Sequence, residues 1–194
     1  MKVVENVNAE NEASPIKAVE QWLEQVVIGL NLCPFASKPY RQKQVRIQLC
    51  DADTELALLE TLQDELRLID ENPVTDAGTG IETTVLVIPN MLRSFDDYNQ
   101  FLDLVDALMD EFDWAGEYQI ASFHPQYCFA GVAPESPENL TNRSPYPLLH
   151  IIREASIEAA LEHYDDPEGI PERNIEKMKA LSEDEKRRLF AYLF

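Results

Sequence analysis

Basic residues are scarce in this sequence: 16 Lys and Arg stand against 36 Asp and Glu, a formal charge of −20 over 194 residues. Nucleic-acid affinity comes mostly from Lys and Arg neutralising phosphates, so the deficit argues against a nucleic-acid partner. The same deficit disfavours attraction to an anionic membrane surface. No window approaches the roughly 18 apolar residues of a membrane-spanning helix. Cysteine is also rare. Cys33, Cys50 and Cys128 form an odd set without repeating spacing, which reads as reduced thiols. Met1 to Ala13 is polar and lacks the apolar stretch of a secretory signal, and its acidic residues disfavour an organelle transit peptide. A cytoplasmic protein is expected.

Several cofactor motifs are missing as well. The sequence has no G-x-x-x-x-G-K-[ST], no G-x-G-x-x-G, no G-x-S-x-G and no H-E-x-x-H. Gly78-Thr79-Gly80 precedes a strand pattern instead of following one, the wrong context for a phosphate loop. No cofactor is therefore expected.

What is present is an ordinary globular apolar share of 45%, enough for a core without disulfide or metal. The length suits one domain: a core over 14–164, a C-terminal helical appendage over 165–194 and a disordered segment over 1–13. Ser14-Pro15 is a helix start, and Val19, Trp22, Leu23, Val26, Val27 and Leu30 follow at helical spacing. Val45 to Cys50 alternates like a strand exposed on one side. Asp53 or Thr54 can cap a helix striped by Leu56, Leu59, Leu62, Leu66 and Ile69. Thr83 to Ile88 reads as a central strand buried on both faces. Ser94 opens a helix running to Phe112; Tyr118 to Phe123 is a third strand, and Phe129 to Val132 is read as a fourth. Pro147 is read as starting a helix through Leu161, with two short helices closing the chain. The order predicts an α/β fold: a single-domain sandwich of helices on a small, mostly parallel sheet of three or four strands.

The acids run along the helices, nine of them from Asp51 to Asp76 and eight from Asp96 to Glu117, as solvated faces do. Arginines inside so acidic a chain are candidates for anion recognition, since a guanidinium pairs bidentately with carboxylate or phosphate. Seven of twelve prolines and all three histidines fall between His124 and Pro171. The loop from Pro125 to Tyr146 is long, and long ordered loops usually carry function. It leaves the end of the third strand, the edge where open α/β sheets bind ligands. His124, Tyr127, Asn142 and Arg143 belong to it. On the expected helix that follows, His150, Arg153 and Glu154 share a face.

Pro34 could begin a short helix with Cys33 at its N-cap, where free N–H groups would stabilise a thiolate; the alternative is an inert buried thiol. Cys33, His124, Cys128 and His150 are chemically a zinc set, although no CxxC or HxxxH spacing supports it.

The sequence also resembles a bacterial family known only as domain of unknown function 1415. The resemblance rests on Leu30-Asn31-Leu32-Cys33-Pro34-Phe35-Ala36, on Glu82-Thr83-Thr84 and on Phe123-His124-Pro125-Gln126-Tyr127. It continues through Thr141-Asn142-Arg143-Ser144-Pro145-Tyr146-Pro147, His150, Arg153 and Glu154 to Ile170-Pro171-Glu172-Arg173-Asn174. Cys33, His124 and His150 match the family pattern, whereas Cys128 stands where the family usually has another residue. That leaves Cys33 and the two histidines as the metal-capable set. The family name implies no activity.

The leading expectation is a small enzyme, or enzyme-like domain, acting on an anionic small molecule. Arg143, Arg153 and Arg173 would hold the anion, and Tyr127 and Asn142 would help to position it. His124 or His150 would serve as general acid and base, with Cys33 as nucleophile. A non-catalytic module that senses a metabolite, or that docks a basic protein on an acidic helix face, is the alternative. A Cys/His metal protein is the third reading.

Overall fold

Strong local signals set the helices. In the computed structural model, which describes residues 14–162 and 164–194, Ser14 caps α1 (Pro15–Trp22) by accepting the Lys17 N–H. The expected segment 1–13 lies outside the described residues. α1 continues without a break as a π-helical stretch, Leu23–Ile28, in which Gly29 N–H reaches back five residues to Glu24 O. Asn31, at φ 51°, ends it. Then come α2 (Ser37–Arg41), β1 (Val45–Leu49) and α3 (Glu55–Glu71), with Thr54 capping α3 through the Ala57 N–H. β2 (Thr83–Val87) leads to α4 (Phe95–Glu111), capped by Ser94, and on to β3 (Tyr118–Phe123). After the long loop and its 3-10 segment Pro137–Asn142 follow β4 (Leu148–Arg153), α5 (Glu154–Leu161), α6 (Ile170–Ala180) and α7 (Glu183–Leu189).

The sheet order is β1-β2-β4-β3. β1 and β2 are parallel, joined by the α3 crossover, while β4 runs antiparallel to both β2 and β3. The expectation of a mostly parallel sheet is corrected on this point. Residues 148–153 form a strand where a helix was expected, and Phe129 to Val132 forms none. The physical reason is the connection. Parallel neighbours are usually joined by a crossover helix; none lies between β3 and β4, and the chain returns beside β3 in the opposite sense. Leu148-Leu149-His150-Ile151-Ile152 fits that position, a continuous apolar run for a strand covered on both faces.

Strand alternation divides the interior in two. Leu86, Ile88, Leu149 and Ile151 pack with Leu58, Leu62 and Leu66 of α3 and with Tyr98, Phe101 and Val105 of α4. Val85, Val87 and Leu148 face the other way, toward Val19, Trp22 and Val26 of α1, Met178 of α6 and Phe190. Three layers result, with β2 buried at every position. The polar side of β1 is partly covered by α3. Arg46 forks onto Glu65 of α3, at 2.8 and 3.0 Å, and Glu65 is almost fully buried. No helix among the described residues is long and apolar enough to cross a membrane.

Candidate functional site

The loop after β3 is fastened by its own polar side chains, and most residues singled out from the sequence are among the fasteners. His124 is completely buried, with the rings of Phe95 and Tyr98 at 5.4 and 5.1 Å. Its Nδ1 accepts the Gln126 N–H at 3.0 Å, so Nε2 carries the proton and donates it to Leu92 O at 2.9 Å. Burial lowers its pKa, against a smaller opposing effect of the Leu92 carbonyl. Both ring nitrogens are therefore committed to backbone, and neither is free to take a proton from a substrate.

Tyr98, which sequence reasoning did not single out, closes the loop at its base. Its hydroxyl donates to Leu148 O at 2.6 Å and accepts the Phe123 N–H at 3.2 Å, tying the end of β3 to the start of β4. Asn139 is equally buried; its amide donates to Ala133 O and accepts the Phe129 N–H. Asn142 donates to Ser122 O. Tyr127 packs between Phe95, tilted, and Phe129, edge-on. Where such a loop is shielded from water its backbone groups need partners, and these side chains supply them. Tyr98 is invisible in the sequence because it sits in an ordinary apolar helical stripe.

Arg143 belongs to the same network but is less completely used. Nε donates to Tyr127 O at 3.1 Å and Nη2 to Pro134 O at 2.6 Å. No ion pair among the described residues includes it. Nη1 makes no hydrogen bond among those residues, and the side chain is half-buried. Burial pulls its pKa below the ordinary guanidinium value, opposed by Cys128 and Tyr192. The backbone carbonyl of Arg143 accepts the Tyr192 hydroxyl at 3.0 Å.

The other candidates lie elsewhere. His150 and Arg153, expected on one helical face, point to opposite faces of β4 because they are three residues apart on a strand. His150 Nε2 lies 2.6 Å from Thr83 Oγ1, and burial pushes its pKa down to about 4. Arg153 turns toward α3, where Nη2 donates to Ile69 O and Nη1 to the Tyr118 hydroxyl, capping the last turn of that helix. Arg173 is bound to Asp166 through carboxylate and carbonyl, with the Tyr164 ring at 5.9 Å.

Cys33 opens the turn before α2. The Phe35 and Ala36 N–H groups favour its thiolate, but burial outweighs them and raises the pKa. Its segment is held from α6, where Asn174 donates to Leu32 O and Lys177 to Asn31 O. No hydrogen bond among the described residues links Cys33 with His124, His150 or Arg143. Nor do any three His, Cys, Asp or Glu side chains among them group as metal ligands.

The structure thus brings His124, Tyr127, Asn142 and Arg143 together and leaves Cys33, His150, Arg153 and Arg173 apart. The molecule is a three-layer α/β protein whose longest loop is pinned by buried polar side chains and carries one arginine without a carboxylate partner among the described residues. The chain belongs to the family described as a protein of unknown function (DUF1415), whose model matches residues 14–188. Comparison with curated proteins and with solved structures gave no match.

Proposed function

We propose that this protein binds an anionic small molecule at Arg143 and does so as a binding module, not as a catalyst. One observation carries the reading: a half-buried guanidinium, aimed by two backbone carbonyls, has no carboxylate on it among the described residues, in a chain with 20 more acids than bases. A fixed, partly desolvated arginine is suited to carboxylate or phosphate, because little side-chain freedom is lost on binding. The groups that would make it an enzyme are otherwise engaged: the imidazole of His124 is bonded at both nitrogens, and the Cys33 thiol is held protonated by burial. A reducing cytoplasm suits the three cysteines, all of them free. Nucleic acid and membrane stay outside the proposal on the ground of charge.

Calorimetric titration with inorganic phosphate and with citrate at low ionic strength tests this, using the wild type and Arg143→Gln. A saturable heat from at least one anion is expected, weakened roughly tenfold or more in the variant, the size of one lost charge-assisted hydrogen bond. It should also weaken as salt is added. Equal binding by a folded Arg143→Gln protein, or no binding of either anion to the wild type, overturns the proposal.

A further inference from the structure

β3 ends the sheet, so one side of its backbone faces no strand. Its ladder with β4 decides which groups that side presents. The Glu154 N–H donates to Glu117 O at 3.0 Å, and in an antiparallel pair the bonded positions alternate. Tyr118, Ile120 and Ser122 therefore turn N–H and C=O away from β4. The long loop already uses the far end of this edge. Asn142 donates to Ser122 O at 3.2 Å, and its carbonyl accepts the His124 N–H at 3.2 Å. At the near end the Tyr118 N–H donates to Trp114 O. Between these two ends, Tyr118 O and both backbone groups of Ile120 have no partner among the described residues. Open edges are normally guarded by lysine, proline or a bulge. β3 reads Tyr-Gln-Ile-Ala-Ser-Phe, without a charge or a proline, and its register runs unbroken.

A groove of about 440 Å³ lies between this edge and α4. Met109, Tyr118 and Ile120 give it an apolar lining, and α4 adds Asp106 and Asp110. Both aspartates are exposed, and neither joins an ion pair among the described residues. The stretch from Asp96 to Glu117 has eight acids and no base, so nothing within it neutralises them. That charge selects the occupant. A second copy of this chain is disfavoured, because pairing β3 with itself would bring Asp106 and Asp110 of both copies to one seam.

We infer that β3 takes an extended, lysine- or arginine-rich segment of a partner protein as a fifth strand, its backbone bonded to Tyr118 O and Ile120 and its basic side chains paired with Asp106 and Asp110. Main-chain bonds to an open edge supply affinity in such strand addition, and alternate side chains supply selectivity. The spacing suits it. Asp106 and Asp110 are one helical turn apart, about 6 Å, and alternate residues of a strand are about 7 Å apart. Basic residues at i and i+2 therefore reach both carboxylates. The Arg143 guanidinium takes no part.

The probe is a fluorescein-labelled, end-blocked peptide of alternating lysine and valine, seven residues long, titrated with the full chain at low ionic strength. A saturable rise in anisotropy is expected, and none with the peptide that has glutamate in place of lysine. Asp106→Asn combined with Asp110→Asn, both on the surface, should weaken binding about five- to tenfold. Arg143→Gln, folded, should bind the peptide as wild type does, which separates this edge from the anion site. Hydrogen exchange reads the backbone directly: the Ile120 amide should slow at least tenfold on saturation. No binding of the lysine peptide overturns the inference. So does binding that leaves Ile120 exchange unchanged, or a folded double variant that binds as tightly as wild type. A dimer in sedimentation whose Ile120 amide is already protected would show a second copy on the edge, and would overturn it too.

Discussion

Thr83 and His150 meet across the β2–β4 pair, Oγ1 to Nε2 at 2.6 Å, and the direction of that bond is fixed by a third atom. Thr83 Oγ1 donates its own proton to Ile151 O at 2.6 Å. The hydroxyl therefore accepts from the imidazole, so Nε2 is protonated; burial, which pushes the pKa down to about 4, keeps the ring neutral at pH 7. A residue chosen from the sequence as a general acid or base is a hydrogen-bond donor inside the sheet.

The pH dependence of stability follows from this bond. The His150 pKa is near 4 in the fold, against an ordinary 6.5. Its neutral form thus supports the fold fully above pH 6.5, and that support is lost as the pH falls toward 4, where the unfolded chain takes up a proton the folded one refuses. Between pH 7 and pH 5 the loss amounts to about 2 kcal/mol. His150→Gln lacks this dependence. Urea unfolding should show the variant less stable than wild type at pH 7 and the gap closing by about that amount at pH 5. A constant gap would mean the imidazole titrates normally.

His124 should behave as a loop fastener. His124→Phe keeps the ring among Phe95 and Tyr98 but leaves Leu92 O and the Gln126 N–H without their partner. The expected cost is about 2–4 kcal/mol, mainly from the buried carbonyl. Faster hydrogen exchange in 124–147 should accompany it. Wild-type stability in the variant would show that the loop is held by packing alone.

Cys33 should alkylate slowly. Burial raises its pKa above an ordinary value of 9.0, despite the two N–H groups near the sulfur. Iodoacetamide labelling of the Cys33 peptide, followed by mass spectrometry across pH, should show a midpoint above 9.0. A midpoint below 8 would indicate a stabilised thiolate and restore the nucleophile reading.

Read alone, the sequence settled three helix starts and the buried central strand. Ser14 and Ser94 cap helices as expected, Thr54 is the one of the two expected candidates that caps α3, and β2 is buried throughout. These are local signals: a hydroxyl beside free N–H groups, and a run of β-branched residues too apolar for any surface. The loop from 125 to 146 was legible too, from its prolines and its length. The direction of β4 was not legible. Pro147 followed by Leu148, Leu149, Ile151 and Ile152 satisfies both a helix start and a buried strand, and only the vacancy beside β3 decides between them. That decision reversed the site. On a helix His150 and Arg153 would share a face; on a strand, period two sends one toward α1 and the other toward α3. Whether a polar side chain works on a ligand or on its own backbone is likewise a matter of what surrounds it. His124, Asn142 and Arg153 carry the same donors and acceptors either way, and their targets are carbonyls brought close only when distant segments pack together.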